Sequence, residues 1–143
     1  MKFRIAAALF AIVGGAVVVS AAVKEPKDTT CPVSGEACDP GASAEFDGGK
    51  VWFCCEKCLA AFKGDSGTFA AKAHQQMVTT GQLVQKGCPF SGGPVKPGTQ
   101  LDIGGAEVGF CCPNCKAKVE KAAPDDRVKM VFTSIAKGFA PAK

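Results

Sequence analysis

Val51-Trp52-Phe53-Cys54-Cys55-Glu56-Lys57-Cys58 recurs as Val108-Gly109-Phe110-Cys111-Cys112-Pro113-Asn114-Cys115, 57 residues further along the chain. Each copy begins as an apolar run that suits a strand, meets a double cysteine, and continues into residues that suit the first turn of a helix. The same offset of 57 carries Cys31-Pro32-Val33-Ser34-Gly35 onto Cys88-Pro89-Phe90-Ser91-Gly92, and Gly81 onto Gly138. An offset that holds beyond the cysteines marks duplication of one supersecondary unit. The sequence therefore divides into modules at 31–87 and 88–143, after a short polar linker at 23–30.

The order of elements within a module is legible. Ser43-Ala44-Glu45-Phe46 leads into the turn Asp47-Gly48-Gly49-Lys50, and Val51-Trp52-Phe53 returns. Aspartate and glycine between apolar runs signal a β-hairpin. The second copy reads Gln100-Leu101-Asp102-Ile103, Gly104-Gly105, then Glu107-Val108-Gly109-Phe110. The pattern predicts a short helix from Glu56 to Phe62, with its counterpart from Pro113 to Ala122, where Pro113 suits a first helical position. Asp65-Ser66 then precede a helix over Thr68 to Thr80, ended by Gly81. Pro124-Asp125 start its counterpart over Arg127 to Lys137, ended by Gly138. Val128, Val131, Phe132, Ile135 and Phe139 form its apolar stripe. The expectation is a small α+β protein with two tandem modules, each a β-hairpin plus two short helices.

Of 143 residues, 47% are hydrophobic and 21% charged, which argues against a disordered chain. One histidine and no tyrosine leave little material for acid–base catalysis, and the chain reads as non-enzymatic. The formal charge is +4, but Lys2 and Arg4 supply two of those charges. The other lysines form no stripe that would track phosphates, so nucleic acid is not an expected partner.

Met1-Lys2-Phe3-Arg4 is a basic start, Ile5 to Val19 is apolar and uncharged, and Ser20-Ala21-Ala22 supplies small residues. That order is the pattern of an export signal over 1–22, with cleavage after Ala21 or Ala22. The alternative is an uncleaved membrane anchor, and only then is a membrane a partner. Either places the rest outside the cytoplasm, periplasmic or secreted.

Nine cysteines in 143 residues is well above ordinary usage. Each module carries Cys-x22-Cys-x3-Cys, as Cys31, Cys54 and Cys58, then as Cys88, Cys111 and Cys115. Cys55 and Cys112 directly follow the middle cysteine. A first cysteine near a turn and a close pair where strand becomes helix is the arrangement of a metal-clasped module. Four thiolates at about 2.3 Å satisfy tetrahedral zinc, while soft sulfur also suits Cu(I) or an iron–sulfur cluster. Zinc is the expected ion, with Cu(I) as the alternative. A module of this size buries a modest core and gains from such a clasp.

At these residues the sequence resembles the YHS and TRASH group of small cysteine-rich domains. The resemblance rests on Cys31-Pro32-Val33-Ser34-Gly35, Phe53-Cys54, Cys58, Phe62 and Asp65. In the second copy it rests on Cys88-Pro89, Gly92, Phe110-Cys111 and Cys115, with Val119 where the first copy has Phe62. It implies treble-clef or zinc-ribbon-like metal-binding modules associated with heavy-metal handling, and a protein partner for metal transfer. It also implies Cys31, Cys54 and Cys58, and Cys88, Cys111 and Cys115, as ligands. Cys55 and Cys112 depart from the commoner pattern, as a fourth ligand or as a thiol beside the ligands.

Other readings compete. Outside the cytoplasm thiols oxidise, so a disulfide framework is open. Cys55-Glu56-Lys57-Cys58 and Cys112-Pro113-Asn114-Cys115 read as C-x-x-C pairs, without the βαβ pattern of a redox domain. Cys38 has no counterpart, since Val95 stands at its place, and it is a fourth ligand, a free thiol or an intermolecular link. His74 and Met77 are spaced to bind copper, but Val131 replaces His74 in the second copy, which favours a packed helical residue.

Overall fold

The computed structural model describes residues 25–143. The expected export signal or anchor over 1–22, and the first two residues of the linker, lie outside them. A single 3-10 turn at Pro26–Asp28 opens the described chain. Strands β1 (Asp39–Phe46) and β2 (Gly49–Phe53) form an antiparallel hairpin, followed by helices α1 (Glu56–Gly64) and α2 (Ser66–Thr79) and strand β3 (Leu83–Gln85). The pattern repeats as β4 (Leu101–Ile103), β5 (Ala106–Val108), α3 (Pro113–Glu120), α4 (Pro124–Phe132) and β6 (Phe139–Pro141). The result is a small α+β fold of four helices and antiparallel two-stranded sheets. Among the described residues, no helix is long and apolar enough to cross a membrane.

The hairpins form where Asp-Gly and Gly-Gly punctuate the apolar runs. Phe46 pairs with Gly49 and Ile103 with Ala106, so each loop has two residues. Asp47 and Gly48 have φ of 45° and 80°, and Gly104 and Gly105 have 61° and 86°. Two consecutive positive φ values match the twist of the flanking strands, and glycine and aspartate tolerate them. β1 starts earlier than the expected Ser43, at Asp39, with a bulge between Asp39 and Ser43.

The helices start where their caps lie. The Asp65 carboxylate accepts from the Thr68 N–H at 3.2 Å and so caps α2. Gly81, at φ 72°, ends that helix in the left-handed region, as expected. The counterpart corrects an expectation. α4 starts at Pro124 and stops at Phe132 rather than running to Lys137. Thr133 and Ser134 stand where α2 has Gln76 and Met77, and short hydroxyl side chains sustain a helix less well. The apolar stripe therefore splits. Val128, Val131 and Phe132 bury from the helix, while Phe139 buries from β6. Gly138 is not a helix cap. A Cβ there would stand 2.8 Å from the Pro89 Cα and 3.2 Å from the Gly87 carbonyl oxygen, so close backbone approach requires glycine.

Two buried clusters form the cores. One gathers Cys31, Val51, Phe53, Leu59, Phe62, Ala73 and Met77, and the other gathers Cys88, Ile103, Val108, Phe110, Val119, Val131 and Phe132. Among the links between them are two that the repeat did not reveal. β3 pairs with β6, so the segment after α2 is zipped to the segment after α4. His74, 4% exposed on α2, bonds the Phe132 carbonyl through Nδ1 at 2.8 Å and the Asp47 carboxylate through Nε2 at 2.7 Å. A carbonyl only accepts, so Nδ1 is the donor to Phe132. His74 is thus a structural residue tying α2 to the end of α4 and to the first hairpin. Replacing it, as His74→Phe, leaves the Phe132 carbonyl without its partner and should cost about 1–3 kcal/mol. Urea denaturation followed by circular dichroism reads that loss, and an unshifted midpoint refutes it.

Candidate metal centre

Each triad is assembled by three local structures. The first is the turn at the opening cysteine. The Cys31 N–H donates to the Glu36 carbonyl at 2.7 Å and the Gly35 N–H to the Cys31 carbonyl at 2.9 Å. The second copy repeats it, with the Cys88 N–H on Gly93 and the Gly92 N–H on Cys88, both at 2.8 Å. Gly35 and Gly92, at φ of 80° and 73°, close these turns. Backbone N–H groups are thereby curled around the sulfur of the opening cysteine.

The second is the exit of the returning strand. Cys54 follows the last residue of β2, and Cys111 follows Phe110, which is fully buried as Phe53 is. These phenylalanines fix the strand ends against the core and leave the next sulfur at the rim. Ser34 Oγ lies 3.2 Å from Cys54 Sγ, and the Ser91 hydroxyl donates to Cys111 Sγ at 3.3 Å. The third is the helix start. Cys55 and Cys112 occupy the N-cap positions of α1 and α3, in extended conformation. Cys58 and Cys115 then fall on the third helical residue, in the first turn.

Glutamine amides hold the strand ends in place. Gln76, 3% exposed, accepts from the Trp52 N–H at 2.7 Å and donates to the Trp52 carbonyl at 2.9 Å. Gln85 does the same for Gly109, the position equivalent to Trp52, at 2.9 and 2.7 Å. Each amide supplies the donor and acceptor that a further strand would supply. One comes from α2 and the other from β3, so the repeat offset does not relate them.

The outcome is two clusters in which the sulfurs of Cys31, Cys54 and Cys58, and of Cys88, Cys111 and Cys115, all lie within 4.8 Å of one another. Cys54 and Cys58 are 3.5 Å apart, Cys111 and Cys115 3.7 Å. Tetrahedral zinc with bonds of about 2.3 Å sets sulfurs about 3.8 Å apart, so the triads are of the right size for a thiolate-bound ion. All nine cysteines are free thiols. Cys55 and Cys112 lie next to the triads, 3.7 Å from Cys54 Sγ and 3.9 Å from Cys111 Sγ, but outside the mutual 4.8 Å grouping. Cys38 is buried and apart, donating to the Trp52 carbonyl at 3.3 Å and accepting from the Gln76 amide at 3.3 Å.

The thiols differ in acidity. Burial pushes Cys31 up, but the N–H groups of Ser34, Cys54 and Val33 and the Ser34 hydroxyl outweigh it and bring the thiol down to about 7. Cys88 is opposed by burial in the same way and comes down to about 6 through the N–H groups of Ser91, Cys111 and Phe90. Hydrogen bonding to Cys54, then burial, pushes Cys58 up to about 12, and burial with Cys112 and Cys111 does the same to Cys115. Each triad thus combines a thiol that ionises near neutrality with one that retains its proton until an ion displaces it. The N–H of Cys58 holds the Cys55 thiol below the usual range, and the N–H of Cys115 holds Cys112 there. Burial pushes Cys38 up.

Comparison with family models, with curated proteins and with solved structures gives no match to this chain.

Thiolate is the reactive form, so exposure and acidity together rank the cysteines. In reduced, metal-free protein at neutral pH, iodoacetamide should modify Cys55 and Cys112 first and Cys38 last, as mapped by peptide mass spectrometry. Early modification of Cys38 contradicts that order.

Proposed function

We propose that the protein binds and hands on a thiophilic metal ion at two thiolate sites, one per repeat. The observation that carries this reading is the twofold convergence of three sulfurs within 4.8 Å of one another, from segments more than twenty residues apart. Cys31, Cys54 and Cys58 would hold one ion, and Cys88, Cys111 and Cys115 the other. Three thiolates suit trigonal Cu(I), while zinc completes its tetrahedron with a fourth donor such as water or a group of the partner, and Cys55 and Cys112 lie beside the triads. Zinc is the preferred ion and Cu(I) the alternative.

The YHS and TRASH resemblance supports the same reading, with treble-clef or zinc-ribbon-like modules and a protein partner for metal transfer. Export to the periplasm or beyond, by the signal at 1–22 or an anchor in its place, accounts for a handling role outside the cytoplasm. A non-enzymatic role accords with a single histidine whose ring nitrogens are both engaged in structure.

One observation favours a second reading, in which the ion serves only the fold. Cys31 and Cys88 are 1% and 0% exposed and belong to the two cores, so an ion bound there also bolts each core shut. Chelation separates the two. A handling protein keeps its circular dichroism when stripped of metal, whereas a structural clasp unfolds.

Titration of the reduced chain with zinc should saturate at two ions, by elemental analysis. Cys31→Ser should reduce this to one, with the other site retained, and Cys88→Ser should do the reverse. Cobalt substitution checks the donor set, because thiolate ligation gives intense near-ultraviolet charge-transfer bands that each variant should halve. Zero stoichiometry, or a variant that retains both ions, refutes the assignment.

A further inference from the structure

Each triad has an extra sulfur that its own grouping does not use, and the two modules place it alike. Cys55 Sγ lies 3.7 Å from Cys54 Sγ, and Cys112 Sγ lies 3.9 Å from Cys111 Sγ. Neither joins the sulfurs that lie within 4.8 Å of one another. Exposure rises from the opening cysteine outward, most clearly in the first module. Cys31 is buried, Cys54 and Cys58 are half-buried, and Cys55 is exposed. In the second module Cys88 is buried and the other three thiols are half-buried. Cys54 and Cys111 therefore neighbour both a triad partner and the outer thiol.

Soft metals exchange between thiolates by association, the incoming sulfur bonding before the outgoing one leaves. The opening cysteine of each triad is buried, so a donor gains access to it only by way of the outer sulfurs. A rim pair that shares one sulfur with the triad supplies that route. We propose that Cys55 and Cys112 are the transfer thiols of the two sites, accepting a zinc or Cu(I) ion from a thiol- or chelator-bound donor. This rests on the metal-binding reading above.

The step balances without redox change. A bond forms between the metal and Cys55 Sγ while a bond between the metal and its donor breaks. The proton of the Cys55 thiol passes to solvent, and the donor leaves with its electron pair. The ion then passes through the shared Cys54 to Cys58 and Cys31, whose remaining thiol protons pass to solvent as their sulfurs bond the metal, and Cys55 is released to take a proton again. Cys112, Cys111, Cys115 and Cys88 follow the same order. A static fourth ligand, by contrast, would remain bound at equilibrium and its loss would weaken retention rather than transfer.

The test uses the full reduced chain and its Cys55→Ser, Cys112→Ser and double variants. Serine is itself a favourable N-cap residue, so α1 and α3 retain their starts. Zinc is delivered from its complex with 4-(2-pyridylazo)resorcinol, and transfer is followed by loss of the dye complex's colour in a stopped-flow mixer. Equilibrium titration of the same samples gives stoichiometry. The double variant should still hold two ions while its transfer slows by about tenfold or more, a barrier rise of about 1.4 kcal/mol. Each single variant should slow one kinetic phase. Unchanged rates overturn the proposal, and so does a double variant that holds no zinc, which makes the outer thiols static ligands. A wild-type chain that takes up no zinc overturns this proposal and the metal-binding reading together, and the titration distinguishes that case.

Discussion

Sulfur atoms repel one another at close range unless a proton or an ion lies between them, and placing three of them within 4.8 Å of one another demands a rigid frame. In each module the frame has three parts that must agree. A tight turn presents the first thiol, a strand end presents the second, and the first helical turn presents the third. Everything else in the module fixes the angles between those parts. Phe53 and Phe110 lock the strand ends into the cores, and Gln76 and Gln85 grip the adjacent backbone. Ser34 and Ser91 brace the middle sulfurs from the opening turns. The N–H groups gathered around Cys31 and Cys88 offset the cost of burying a thiolate there, which is how the least exposed sulfurs also become the most acidic ones.

The parts of this frame that depend on local chemistry were legible in the sequence. Asp47-Gly48 and Gly104-Gly105 announced their hairpins because few other residues accept two positive φ values in succession. Pro113 and Asp65 announced helix starts because each satisfies a backbone requirement within its own first turn. The parts that depend on distant partners were not legible. Nothing in Leu83-Val84-Gln85 says that its partner is Phe139-Ala140-Pro141, since a three-residue strand has no periodicity to read. The stripe Val128–Phe139 suggested one continuous helix, because the spacing of apolar residues does not record that Phe139 buries from a strand. His74 was readable as a packed residue, but its partners Asp47 and Phe132 come from other elements. The cysteine spacing identified the triads, yet only the fold separates Cys55 and Cys112 from them.

The two copies have also diverged in a compensated way. Where the first module has Cys38 and Trp52, the second has Val95 and Gly109. A Cβ on Gly109 would overlap Val95, so the larger aliphatic residue in one position requires the smaller in the other. The first core consequently contains the buried Cys38 and has the half-buried Trp52 packed against it. The second carries Lys118 over the Phe90 ring, 5.2 Å from its centroid, where the first module has Ala61 and Val33. The two sites thus differ in the residues around them while sharing one ligand geometry.

Pairing of β3 with β6 sets an order on events that the finished fold conceals. During vectorial synthesis the residues of the first sheet strand emerge long before the last strand that pairs with them. At about 5–20 residues per second, the interval between Gln85 and Phe139 is about 3–10 s. Throughout it, the nascent first half carries five thiols and an unpaired strand edge, held by a core that lacks its neighbour. Closure of the two halves is thus a late event, and an ion or oxidant present in that interval meets the first set of sulfurs complete while the second set is still being added.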